Sequence, residues 1–244
     1  MSITMANLTS SATTGNGTSI TTAVTASVTP TSNRPVFVSV YNTRNGTTPV
    51  DSVNTILGLG ITNWSQIQTA IRSGSAFART SAWYGFNASP SASVVTVGFA
   101  SAQSAILVLV DEAAGANVSG TVVQSSNSST GNITAGSPVT LGLAAFGNVA
   151  NATYGVYGVA SGPPTNVYTA DTLFLSLVST SALTSGKYFG QLWSMWTNVN
   201  ESVVSAKYGG TDRHMVIGME LKATLSTARP AAYYQQYVQE HLIA

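Results

Sequence analysis

Hydrophobic and polar positions alternate with a period of two through most of this chain, the signature of strands that bury one face. In Pro35–Asn42, Val36, Val38 and Val40 fall on one face while Phe37 and Tyr41 fall on the other. The same pattern predicts strands over Trp64–Arg72, Phe77–Phe86, Ser93–Ala100, Asn117–Val123 and Val139–Phe146. It continues through Thr153–Ala160, Thr172–Val178, Gln191–Thr197, Val203–Tyr208 and His214–Ala223. Ala105–Glu112 is a near-continuous apolar run and reads as a central strand buried on both faces. Glycine and proline turn signals fall between the runs, among them Pro90, Gly115, Gly131, Gly147 and Gly209-Gly210. With no βαβ alternation, many short strands predict an all-β chain, an antiparallel jelly-roll sandwich.

The pattern weakens at both ends. In residues 1–33, about half of them Ser or Thr, Ile3, Met5, Leu8, Ile20 and Val24 stand singly. That stretch reads as a flexible low-complexity arm. Residues 34–224 are the predicted jelly-roll sandwich and residues 225–244 a C-terminal tail. Within the tail, Ala231, Tyr233, Tyr234, Tyr237, Val238 and Leu242 recur near helical spacing after Pro230, which predicts a short helix over Arg229–Ala244.

Composition narrows the function. Only 7% of the 244 residues are charged and the formal net charge is +1, against roughly 25% charged residues in an ordinary soluble protein. A basic footprint for nucleic acid is absent. There is no Cys, hence no disulfide, thiol nucleophile or thiolate metal site. Solubility through hydroxyls and amides suits a surface that is buried in an assembly, coated with sugar or held outside the cell. Few groups titrate between acid and neutral pH, so folding is expected to survive from roughly pH 3 to 8. Residues 1–33 carry no charge and no continuous apolar stretch, so no secretory leader is read there, which fits a virus particle or a mature form whose leader was removed. The longest apolar run, Ala105–Val110, is far short of the ~20 residues that span a bilayer.

Several short motifs resemble those of jelly-roll β-sandwich domains in phage and virus virion accessory proteins and bacterial surface proteins. They are Gly58-Leu59-Gly60-Ile61-Thr62-Asn63-Trp64, Ser81-Ala82-Trp83-Tyr84-Gly85 and Val95-Thr96-Val97-Gly98-Phe99. The acidic end of Leu107–Gly115 and the closing run His214–Leu221 complete the likeness, over roughly residues 35–223. The resemblance implies the fold and an extracellular or virion setting. It implies no active site, because the shared positions are packing positions.

Chemistry is sparse. His214, behind Asp212-Arg213, and His241 lack the spacing of a zinc site or a catalytic triad. Asp111 and Glu112 are adjacent on a strand and point to opposite faces, one of them inward and in need of a partner such as Arg79 or Lys222. No catalytic residue, metal or cofactor is expected. The aromatics are the better lead, with Trp83, Tyr84, Trp193 and Trp196 as candidate binding residues. In Gln191–Thr197, Trp193 and Met195 share one face and Leu192 and Trp196 the other, so one pair is expected in the core and the other exposed or at a subunit interface. Ten Asn-x-Ser/Thr sequons begin at Asn7, Asn16, Asn45, Asn63, Asn87, Asn117, Asn127, Asn132, Asn151 and Asn200. Composition predicts roughly four by chance. All but Asn7 and Asn16 are candidate glycosylation sites.

Two functions follow as expectations. The first is a structural protein of a virus particle, a decoration, spike or capsid subunit, held among copies of itself and other virion proteins by its terminal extensions. The alternative is an extracellular carbohydrate-binding adhesion module that meets host-surface glycans through exposed aromatics. Neither is an enzyme.

Overall fold

The computed structural model describes residues 2–15, 20–44, 50–72, 77–160, 166–184 and 188–224. Every regular element among them is a strand, every ladder is antiparallel, and none is a helix able to cross a membrane. The expected C-terminal helix lies outside the described residues.

Eight strands occupy the first half: β1 (Thr4–Thr14), β2 (Ile20–Val24), β3 (Val36–Thr43), β4 (Val53–Leu57), β5 (Trp64–Ile71), β6 (Ala78–Gly85), β7 (Thr96–Gln103) and β8 (Ala105–Ala114). They form a five-stranded sheet ordered β1-β8-β3-β6-β5 and a three-stranded sheet ordered β2-β7-β4. Eight more follow: β9 (Val122–Ile133), β10 (Pro138–Gly142), β11 (Ala152–Ala160), β12 (Tyr168–Ala170), β13 (Leu175–Thr184), β14 (Tyr188–Thr197), β15 (Val203–Tyr208) and β16 (Asp212–Leu221). Their sheets are β9-β16-β11-β14-β13 and β10-β15-β12. Counted within its half, each strand has the same neighbours as its counterpart. First pairs with last, second with seventh and third with sixth, twice over.

The two large sheets lie face to face at the centre. β1 lies against β13 and β5 against β9, while β8 meets β14 and β6 meets β16. Exchanging the halves turns each of these contacts into its partner, so the halves meet through like surfaces, as in an isologous dimer. Three cores result. An aliphatic one, with Val38, Val40, Val97 and Val108, fills the first half between its sheets. An aromatic one, with Tyr157, Tyr168, Trp193 and Tyr208, fills the second. The third lies between the halves and includes Phe37, Tyr41, Leu109, Tyr154, Leu192 and Ile217.

Within the expected arm, the described residues 2–15 and 20–33 are not free. β1 pairs with β8 along its whole length, from Thr4↔Ala114 to Thr14↔Ala105, and Ile3 and Met5 are buried. β2 pairs with β7 and buries Ala23. Threonine is a strong strand former, and an edge strand with one packed face needs few apolar residues. The predicted single sandwich over 34–224 is likewise corrected to two eight-stranded halves, 4–114 and 122–221, with residues 4–24 belonging to the first. The strand expected at Asn117–Val123 is displaced to Val122–Ile133, and β4 and β12 arise where no strand was expected.

Gly115 marks the passage between halves. It sits at φ +74°, and a Cβ there would lie 2.6 Å from the Ser2 carbonyl oxygen, so only glycine lets the link pass the start of β1. At the centre, Tyr41 occupies the space over Gly190, where any Cβ would strike its ring.

Candidate functional site

The aromatic residues singled out from the sequence are mostly interior. Trp193 is 2% exposed in the second half's core, with its indole N–H donating to Ser176 Oγ at 2.8 Å. Trp196 is 8% exposed and belongs to the central core. These two are therefore not stacking platforms, which corrects the expectation that one face of their strand is open. The alternation was read correctly, with Trp193 and Met195 on one side and Leu192 and Trp196 on the other. Both sides are buried because a second sandwich packs on the sheet from within the same chain. Trp83 and Tyr84 are half-buried, Trp83 against the first half's core and Tyr84 against the central one.

Two buried polar clusters hold a carboxyl and an imidazole whose titration is shifted by burial. Asp111, fully buried between the halves, accepts hydrogen bonds from Asn7 Nδ2 at 2.7 Å, the Tyr154 hydroxyl at 2.6 Å and Ser194 Oγ at 3.0 Å. These donors come from β1, β11 and β14, so the cluster ties one half to the other. Burial outweighs the three donors and pushes the carboxyl up to about 6. Neighbouring Glu112 points the opposite way, as strand alternation requires, and pairs with Arg34 at 2.6 Å and with Thr31. Both carboxylates are buried, and in place of Arg79 or Lys222 Glu112 has Arg34 while Asp111 is held by neutral donors. In the second half, Tyr168 and His214 Nδ1 share a 2.7 Å hydrogen bond. Burial drives the His214 imidazole down to about 4. Neither cluster opens to solvent, and no group of three or more metal-ligating side chains occurs among the described residues.

The sequons divide by burial. Asn151 is buried and gives its amide to Glu220 at 2.5 Å, and Asn7 gives its own to Asp111, so neither amide is free to carry a glycan. Asn63, Asn127, Asn132 and Asn200 are exposed, while Asn87 and Asn117 are half-buried. Asn45 lies outside the described residues.

The surface itself is polarised along the strands. The registers place Ser2, Gly115 and Thr224 at one end of every sheet, here called the near end. Twelve large hydrophobic side chains are exposed among the described residues, and ten belong to this end. Val24 and Leu57 close β2 and β4, Val203 and Leu175 open β15 and β13, and Val123 is second in β9. The others, Val94, Val118, Val149, Leu173 and Val199, sit in the loops there. Only Ile71 and Val167 lie at the far end.

Charge divides the same way. Among the described residues, the far end holds Arg44, Arg72, Arg79, Lys207 and Arg213 against Asp51 and Asp212. The near end holds Asp111, Glu112, Asp171, Glu201 and Glu220 against Arg34 and Lys222. The described residues thus carry a charge asymmetry along the strands. A hollow of about 200 Å³ opens at the near end, floored by Leu173, Phe174 and Val203 and rimmed by Asp171, Glu201 and Ser205. Small-molecule sites run to ~300–1,000 Å³, so this one has room for a single side chain. Scattered valines carry no such signal in sequence. Only the strand registers bring them to one end.

No protein-family model, curated protein or solved structure matches this chain.

Proposed function

We propose that this chain is a structural protein of a virus particle, built as two jelly rolls stacked sheet to sheet. The observation that carries the reading is the repeated nested pairing, first strand with last, second with seventh, third with sixth. A folded-over ribbon of that kind is the basis of jelly rolls, a fold used by viral capsids and lectins. The capsid side is favoured over the lectin side because two of the four candidate sugar contacts, Trp193 and Trp196, are interior and the other two, Trp83 and Tyr84, are half-buried. The polarised surface supports it further, since a subunit in a shell has an end that meets companions and an end that does not. Low overall charge fits close packing among copies outside a cytoplasm. Residues 4–24, expected as part of a fastening arm, are instead strands of the first half.

The test is location and copy number. Particles are purified from the producing culture by density gradient and their proteins quantified by mass spectrometry. The intact chain is expected in the particle band at many copies per particle. A chain confined to the soluble cytosolic fraction as a monomer overturns the proposal. The same spectra read glycosylation: added hexose mass is expected at Asn63, Asn127, Asn132 or Asn200 and not at Asn7 or Asn151.

A further inference from the structure

We infer that the near end is a docking surface and that its occupant is the chain's own C-terminal segment, residues 225–244. Three observations converge on it. Among the described residues, ten of the twelve exposed large hydrophobics lie at that end, and apolar surface gathered on one end favours a contact that covers it. The described chain leaves the fold there, at Thr224, whose N–H donates to the Gly115 carbonyl at 2.8 Å. The remaining segment is apolar enough to cover the end, with Leu225, Tyr233, Tyr234, Tyr237, Val238 and Leu242 and only Arg229 and Glu240 formally charged.

Reach and fit agree. Twenty extended residues span up to ~65 Å at ~3.3 Å each, and a helix over Arg229–Ala244 would run ~24 Å at 1.5 Å per residue. Five strands at ~4.8 Å spacing make an end face ~20–25 Å wide. The hollow floored by Leu173, Phe174 and Val203 takes one ring, and its rim offers the Asp171 and Glu201 carboxylates to a tyrosine hydroxyl. Aromatic side chains with a polar tip suit such a half-wet socket, and the segment carries three tyrosines. Docking of this kind needs neither the virion reading nor any other protein.

Photo-crosslinking on the full chain tests the inference. Leu173→benzoylphenylalanine and Val149→benzoylphenylalanine place the probe at the near end, and Val167→benzoylphenylalanine serves as the far-end control. Near-end probes are expected to label peptides from 225–244, the control to label none. Crosslinks to 225–244 within one chain uphold the inference, and crosslinks to that segment found only between two chains, told apart by gel mass, overturn it. Near-end probes that label the near end of a second copy, or any region other than 225–244, overturn it. A chain ending at Thr224 supplies the second reading: its anilinonaphthalene sulfonate fluorescence should rise about threefold or more as the apolar end is uncovered. Unchanged fluorescence in a folded truncation counts against the inference. Failure of either arm leaves the particle-location experiment unaffected.

Discussion

The two halves share a strand order but fill it differently, the second adding aromatic side chains to a set of valines. The first is packed mainly with valine, isoleucine and leucine, whereas the second sets tyrosine, tryptophan, methionine and a buried histidine among Val139, Val159, Val204 and Val216. Even the acidic residue near the end of each closing strand is satisfied differently. Glu112 accepts from Arg34 and Thr31, whereas Glu220 accepts from Asn151 and Gln124. What the halves have in common is the alternation of inward and outward positions and the nesting of strand pairs. Side-chain identity sets how a core is filled; periodicity and connection set its topology.

That contrast is broken hardest at the aromatic core. Trp193→Ala removes a ring that stacks on Tyr168 at 5.3 Å and is expected to cost about 3–5 kcal/mol. Val108→Ala in the aliphatic core should cost about 1–2.5 kcal/mol. Denaturant unfolding followed by circular dichroism reads both. Because the central core joins the halves, each variant should shift one cooperative transition. Two separated transitions would show that the halves are independent.

A pH pair sharpens the comparison. The Asp111 carboxyl is raised to about 6 in the fold. Its stabilising contribution is therefore complete below the unfolded value and is lost as pH rises through about 6. The His214 imidazole is lowered to about 4. The unfolded chain takes up that proton below about 6.5, so stability is lost as pH falls from there toward 4. Each effect is on the order of 3 kcal/mol, opposite in sign and overlapping in range. The intact protein should be nearly flat in Tm between pH 4 and 6.5. Asp111→Asn should lose stability on acidification, and His214→Gln should gain it. Parallel pH profiles for the two variants would refute the assignment.

Smaller effects follow at the surface. Arg34→Ala leaves Glu112 with Thr31 alone and should cost about 1–2 kcal/mol, measurable as a lower denaturant midpoint. Leu57→Thr, at an exposed near-end position, should change folding stability by no more than about 0.5 kcal/mol.

Much of the fold was legible in the sequence, and the failures share a cause. Strands that alternate strong apolar residues were found, Val203–Tyr208 with the bounds observed. Strands made of Ser, Thr and Asn were missed or displaced, because β1 and β9 lie at sheet edges and keep few apolar contacts. The doubling is not legible in the sequence because the repeat is one of strand connection and the side chains that fill the two cores differ. The wrongly assigned aromatics failed for a related reason. Period-two reading distinguishes the faces of a strand but does not say how many layers cover the sheet, and Trp196 is covered by the other half.

Pairing of first strand with last also governs how the polypeptide is made. β1 emerges early from the ribosome, but its ladder partner, β8, ends at Ala114, so the first half closes only after that residue is free. The same wait recurs for β9, whose partner ends at Leu221. Synthesis therefore proceeds in two instalments. In each, a hydroxyl-rich leading strand that is soluble while unpartnered waits for a hydrophobic closing strand that arrives last.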